Sequence, residues 1–232
     1  MTAPTLSCII PAYNEKDRIG SVLQTVSAHP MIDEVIVIDD ASHDGTADVA
    51  EQFTGVTLIR QTTNQGKTYA VSHGLEAAKG SHVLLVDADL TGLNHAHLTT
   101  LIEPVMRGSA DISISLRDNA PKVWRMIGLD YISGERVISK DLLSTEIHAL
   151  RNLPKFGLEV FMNDLCIRQK SRIAVVRWSG VKSPYKNEKY GLRNGMMADL
   201  RMMSDLMKSV PPVGLLRQIS AMRRLRISPS TR

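Results

Sequence analysis

A chain of 232 residues with 43% hydrophobic side chains carries enough apolar material to bury one sizeable core, which excludes a disordered or purely extended scaffold. Its net charge of +4 suits anionic small molecules, whereas an aromatic content of only 4% and the lack of a recognition-helix pattern argue against nucleic acid. No apolar run reaches the roughly 18 to 20 residues a membrane crossing needs, and the amino terminus M-T-A-P-T-L-S lacks a basic region followed by an apolar one, so neither spanning nor export is expected. Cys8 and Cys166 lie in apolar segments without C-x-x-C spacing, so we expect buried free thiols and a cytoplasmic protein.

Leu6 to Ile10 is a short apolar run stopped by Pro11, and Ile19, Val22, Leu23 and Val26 then recur at helical spacing: strand, loop, helix. The order repeats at Glu34 to Asp40, E-V-I-V-I-D-D, where the apolar run closes on carboxylates and leads to a helix through about Phe53. Between them Asp44-Gly45-Thr46 reads as a turn and helix cap. Val56 to Arg60 is a third strand, and Lys67 to Lys79 a third helix with Ala70, Val71, Leu75 and Ala78 on its apolar face. Ser81 to Thr91, S-H-V-L-L-V-D-A-D-L-T, contains a fourth strand, too short for a helix, that ends in Asp87 and Asp89. Strands alternating with helices predict a parallel sheet whose loops after strands one, two and four open on one crevice.

After residue 92 the expected order is a helix over Asn94 to Arg107, a strand over Asp111 to Leu116, and a loop through R-D-N-A-P-K-V-W-R at Arg117 to Arg125. A strand within Asp130 to Ile138, a helix carrying Leu142, Leu143 and Ile147, a helix over Gly157 to Ile167 and a strand over Arg172 to Trp178 follow. Beyond Pro184 apolar and basic residues recur at helical spacing, interrupted by Pro211-Pro212. The last segment sets Leu215, Leu216, Ile219, Met222 and Leu225 on one face and Arg217, Arg223, Arg224 and Arg226 around the other. We read one domain over 1–210 in two halves, 1–92 and 93–210, and a basic amphipathic tail over 211–232. For that tail three readings stand: a helix docked on the domain, a subunit contact in a homo-oligomer, or a peripheral contact with the inner face of a membrane.

Two carboxylates one residue apart at the end of a strand project to the same side, about 7 Å apart. Like charges that close call for a compensating cation, and hard oxygen donors suit Mg²⁺ or Mn²⁺ carrying a diphosphate. Asp39-Asp40 closes a strand on the same predicted edge, and a carboxylate there can accept the imide N–H of uracil or the ring N–H of guanine. N-Q-G-K-T at Asn64 to Thr68 lacks the earlier glycine of a phosphate-binding P-loop, position 61 being glutamine. There Gly66 permits close backbone approach and Lys67 directs positive charge at base or diphosphate. His95 and His97 open a helix and are softer donors than Mg²⁺ prefers, so they are not expected as ligands. The absence of G-x-G-x-x-G and G-x-S-x-G counts against dinucleotide and serine-hydrolase chemistry.

P-A-Y-N-E at Pro11 to Glu15, D-D-A-S-H-D-G-T at Asp39 to Thr46, N-Q-G-K-T-Y-A at Asn64 to Ala70 and D-A-D-L at Asp87 to Leu90 resemble, in order, the motifs of family 2 glycosyltransferases. The resemblance implies an α/β GT-A (nucleotide-diphospho-sugar transferase) fold, a central mostly parallel sheet flanked by helices. It also implies that Pro11, Tyr13, Glu15, Asp40 and Lys67 surround the donor and that Asp87 and Asp89 hold the cation, so 1–92 is expected as the nucleotide-sugar-binding half and 93–210 as the acceptor half; Asp39, Gly66 and Ala88 are expected at the same donor site. S-L-R at Ser115 to Arg117, D-Y-I-S-G-E-R at Asp130 to Arg136 and F-G-L-E at Phe156 to Glu159 are similar to stretches of the dolichol-phosphate mannosyltransferase branch, placing Arg117, Ser133, Glu135 and Arg136 at the acceptor. Two positions depart from it: Leu116 replaces a glycine, and Glu135 stands where that branch has phenylalanine, an acid that would repel an anionic acceptor. S-G-E-R is also similar to glucosyl-3-phosphoglycerate synthases, although their later metal-binding histidine has no match in G-V-K-S-P-Y at Gly180 to Tyr185.

The expected activity is metal-dependent, inverting transfer from a UDP- or GDP-sugar to a polyprenyl phosphate or another glycolipid or glycan precursor. A hydroxyl acceptor needs a base, for which Glu159 is the first choice and Glu135 the second, with Asp89 acting at the metal; Lys182 joins the arginines as a candidate cation for an anionic acceptor. The alternatives are a retaining synthase acting on a small phosphorylated acceptor, and a nucleotide-sugar-binding protein without catalysis. A sugar nucleotidyltransferase is disfavoured because no glycine-rich loop follows the first strand.

Overall fold

The structure is a computed structural model and describes residues 3–151, 153, 157–183 and 212–227. Strands β1 (Leu6–Ala12), β2 (Glu34–Asp39), β3 (Val56–Arg60) and β4 (His82–Leu85) alternate with helices α1 (Lys16–Ser27), α2 (Thr46–Glu51) and α3 (Lys67–Ala77). Helix α4 (His95–Met106), β5 (Ile112–Arg117), α5 (Lys122–Ile127), β6 (Arg136–Ser139), α6 (Lys140–Ser144), α7 (Ile147–Arg151), α8 (Leu158–Arg168) and β7 (Ile173–Trp178) follow. The described chain closes with α9 (Pro212–Leu225) and β8 (Arg226–Ile227).

Among the described residues these strands form one eight-stranded sheet in the order β3-β2-β1-β4-β6-β5-β7-β8. Every pairing is parallel except those of β6, which runs antiparallel to both β4 and β5. The strands are apolar on both faces because helices cover both. On one side Ile9, Ile36 and Ile38 meet Val71 and Leu75 of α3 and Met162 and Leu165 of α8. On the other Cys8, Ile10 and Val37 meet Ile19 and Leu23 of α1 and Leu98 and Ile102 of α4. Both cysteines are buried and free, as expected.

Four expectations need correction. The connector expected as a loop contains α5: Pro121 precedes its first turn, where a missing N–H costs nothing, and Gly128 at φ +72° ends it. The strand expected within Asp130 to Ile138 begins only at Arg136, because Asp130 to Glu135 form a loop that crosses the carboxyl edge of the sheet. The single helix expected around Leu142 to Ile147 is two short ones, α6 and α7. Leu216, expected beside Ile219 and Met222, is 67% exposed, while those two are buried in the core. The helical pattern expected from Pro184 to Pro211 lies outside the described residues.

Helix α9 docks on the domain through Ile219 and Met222, and the Tyr131 hydroxyl donates to Gln218 Oε1. His97 has a structural role in the capping box of α4: Asn94 Oδ1 accepts from its N–H at 3.1 Å, and its Nδ1 accepts from the Asn94 N–H at 3.3 Å.

Candidate active site

The loops after β1, β2, β3 and β4 gather around a cavity of about 320 Å³ at the carboxyl edge of the sheet. Pro11, Ala12, Tyr13 and Glu15 line it from β1, Asp40 from β2, Lys67 and Ala70 from α3, and Asp87, Ala88 and Asp89 from the end of β4. β4 stops at Leu85, and Val86 N–H still bonds Ile9 O at 3.1 Å before the chain turns at Ala88 and Asp89. The two carboxylates therefore stand on a turn at the strand's end rather than on the strand itself.

Asp39 and Asp40 part company because successive side chains of an extended chain face opposite sides. Asp40 is buried and its two oxygens accept the backbone N–H groups of Gln65 (2.9 Å) and Gly66 (2.7 Å). That clamp fixes the loop in which Gly66 takes φ +92°, and so aims Lys67 from the first position of α3. Asp39 lines a second cavity of about 390 Å³, with Ser42, His43 and Gln61, on the other side of β2, where its Oδ2 accepts from Ser42 N–H at 3.2 Å. Asp44 acts structurally as expected: it accepts from Lys16 N–H (3.1 Å) and Thr46 N–H (2.9 Å), tying the starts of α1 and α2 together.

The Lys67 ammonium lies 2.7 Å from Asp87 Oδ1 and 3.1 Å from Glu159 Oε1. Burial opposes its charge, but these two carboxylates outweigh burial and push its pKa up. The trio needs Gly134: a Cβ there would stand 2.4 Å from Lys67 Nζ and 2.9 Å from Asp87 Oδ1. Gly134 is a site residue the reading of single side chains missed, although its place in S-G-E-R marked it.

Among the residues expected at the acceptor, Glu135 is fully buried, and its Oε2 accepts from Ser115 Oγ (2.7 Å) and Ser133 Oγ (2.9 Å). Its Oε1 forms an ion pair with Arg117 Nη1 at 3.2 Å without hydrogen-bond alignment. The acid that replaces phenylalanine is thus matched by a cation and presents no bare charge to a substrate. Arg117 also donates to Ser183 Oγ, and Asn119 Nδ2 donates to Ser183 O at 2.6 Å. Arg136 is fully buried and donates to Ser133 O (2.9 Å) and Asn163 Oδ1 (2.8 Å), which makes it a brace for the Ser133–Glu135 loop. Lys182 pairs through its backbone with Thr91, so the Gly180–Ser183 segment rests against the turn that follows Asp89; Pro184 and Tyr185 lie outside the described residues.

Asp87 and Asp89 offer hard oxygen donors to a divalent cation. Among the described residues no third His, Cys, Asp or Glu completes a ligand cluster with them. The pair fits Mg²⁺ or Mn²⁺ as these ions are bound beside phosphates, by one or two carboxylates with the remaining positions left to diphosphate and water.

The family model for Glycosyl transferase family 2 matches residues 7–159. The chain belongs to glycosyl transferase family 2. Among relatives of this family, the dolichyl-phosphate beta-glucosyltransferase of Dictyostelium discoideum is 28% identical over 178 residues, covering 70% of this chain and 50% of that protein. The undecaprenyl-phosphate 4-deoxy-4-formamido-L-arabinose transferase of Aeromonas hydrophila is 34% identical over 131 residues, covering 51% of this chain and 39% of its own. The chain thus spans about half the length of the curated relatives it matches or less. Glucosyl-3-phosphoglycerate synthase of Mycobacterium tuberculosis, solved with Mn²⁺, UDP and glucosyl-3-phosphoglycerate, superposes with TM-score 0.69 at 22% identity over 89% of this chain and 80% of that one. That likeness and the sheet order place the family 2 chain in the GT-A fold.

Proposed function

We propose that this family 2 chain is a metal-dependent glycosyltransferase that moves a sugar from a UDP- or GDP-sugar to a phosphate-bearing polyprenyl acceptor, with inversion. The observation that carries the reading is the convergence of Asp40, Lys67, Asp87 and Asp89 on one cavity. Tyr13 and Pro11 offer an apolar wall to a base, and the Asp40 clamp holds the Gln65–Gly66 backbone where a nucleotide would lie. Asp87 and Asp89 would hold the cation, whose contribution when bound is to neutralise charge growing on the leaving diphosphate. Lys67, already inside the cavity, adds a second positive charge to that end of the donor.

The names of the two relatives support a polyprenyl-phosphate acceptor. The buried Arg117–Glu135 pair supports it as well, because the matched charge removes the repulsion an isolated acid would impose. A phosphate oxygen needs no base, so Glu159 then positions Lys67; for a hydroxyl acceptor Glu159, at 13% side-chain exposure, takes the proton.

The test is a thermal-shift screen of UDP- and GDP-sugars with and without Mn²⁺, followed by transfer to a short-chain polyprenyl phosphate. A donor at a hundred times its Kd adds about 2.7 kcal/mol, worth roughly 5 to 10 °C in a domain of this size. The expected outcome is a Mn²⁺-dependent shift with one nucleotide that Asp89→Ala abolishes. A shift indifferent to Mn²⁺ and to that substitution would sink the metal-dependent reading.

A further inference from the structure

Helix α9 has two differently used faces. Ile219 and Met222 are buried in the core, while the outward face presents Val213 at 62% and Leu216 at 67% exposure together with exposed Arg217, Arg223 and Arg224. No Asp or Glu occurs from Pro212 to Leu225, and among the described residues no carboxylate pairs with these arginines. Arg177 on β7 and Arg223 on α9 crowd the exposed Arg226 of β8: burial first, then Arg223 and Arg177, lower the Arg226 pKa. Cations assembled without counter-charge are costly until an anion arrives.

The surface extends to α5. Arg226 Nη1 donates to Ile127 O at 3.3 Å, and the residue before Ile127, Met126, is 88% exposed beside exposed Arg125. Position matters too. Gln218, in the first half of α9, accepts from the hydroxyl of Tyr131 in the Asp130–Glu135 loop, so this half of the helix lies against the loop that crosses the sheet edge holding the cavity.

We propose that this surface binds an anionic phospholipid membrane, with Val213, Leu216 and Met126 entering the interface and Arg177, Arg217, Arg223 and Arg224 meeting headgroup phosphates. A free anion would use the arginines and leave three large apolar side chains in water, whereas an acidic lipid surface accommodates both. Binding stands on this surface alone; that it brings the cavity to a membrane-borne acceptor rests on the function proposed above.

Flotation of the full chain with vesicles of phosphatidylcholine alone, or mixed with phosphatidylglycerol, tests this. Binding is expected only to the mixed vesicles. It should fall at least tenfold in Val213→Ser/Leu216→Ser, and by about fivefold per charge in Arg217→Gln/Arg223→Gln/Arg224→Gln. Millimolar inorganic phosphate should leave it intact. No binding to mixed vesicles, an unaffected serine variant, or full competition by phosphate would each overturn the proposal. Because Val213 and Leu216 are exposed, the serine variant should keep its Tm. The Mn²⁺-dependent donor shift, measured without vesicles, reads the proposed function separately: its loss with vesicle binding intact sinks that reading and leaves this one standing.

Discussion

Gly134 is where a single hydrogen in place of a methyl group keeps Lys67, Asp87 and Glu159 together. Gly134→Ala pushes on the far end of the lysine, which can swing away, so stability should change little while Mn²⁺-dependent donor binding weakens roughly tenfold. Titration calorimetry beside a melting curve checks both halves, and unchanged binding would remove Lys67 from the donor site. Asp130 makes a pH prediction. Burial pushes its carboxyl up from the ordinary 3.8 to about 6, Arg117 opposing and Glu135 adding to the rise. Between about pH 4 and 6 the folded chain thus holds a proton the unfolded chain has lost, so stability falls as pH rises through that window, by roughly 3 kcal/mol at most. Asp130→Asn should therefore be more stable than wild type at pH 7.5, with the gap closing by pH 4; equal melting temperatures at both pH values would contradict it. At this scale the carboxylates and Lys67 were legible from residue type and motif. The Lys67–Glu159 pair was not, since ninety-two residues separate its partners.

At the scale of elements, α3 lies on the sheet through Gly74. A Cβ there would meet Ile9 Cγ2 at 2.4 Å and Ile38 Cδ1 at 2.8 Å, both on fully buried side chains. Gly74→Ala should overpack this contact at a cost above the roughly 1 kcal/mol that alanine otherwise contributes in a helix. A net loss of about 1 to 2 kcal/mol lowers Tm by roughly 2 to 8 °C; an unchanged Tm would mean that α3 can lift off the sheet freely. The first four strands and three helices were readable because each apolar run is bounded by Pro, Gly or carboxylates. The direction of β6 was not: R-V-I-S pairs equally well either way, and the Asp130–Glu135 loop, by crossing the carboxyl edge, makes it descend antiparallel between β4 and β5. Helix α5 left a signal in Pro121, outweighed by the polar residues on either side of it.

For the molecule as a whole, α9 buttresses α8, the helix that carries Glu159, through Met222 in their shared core. Met222→Ala should cost about 2 to 5 kcal/mol and lower the urea midpoint of the entire domain in one transition. A separate early transition would mean that α9 melts alone. Hydrophobic periodicity and the order of four motifs in the linear chain were sufficient for the α/β class, the family resemblance and most of the residues that line the cavity, because these depend on local spacing and on loops that a parallel sheet must bring to one edge. The charge-matched Glu135, the bracing role of Arg136 and the outward turn of Leu216 came from the packed fold alone. Each depends on which distant residue arrives opposite a side chain, and that is set by helices docking on a twisted sheet rather than by any neighbour in the chain.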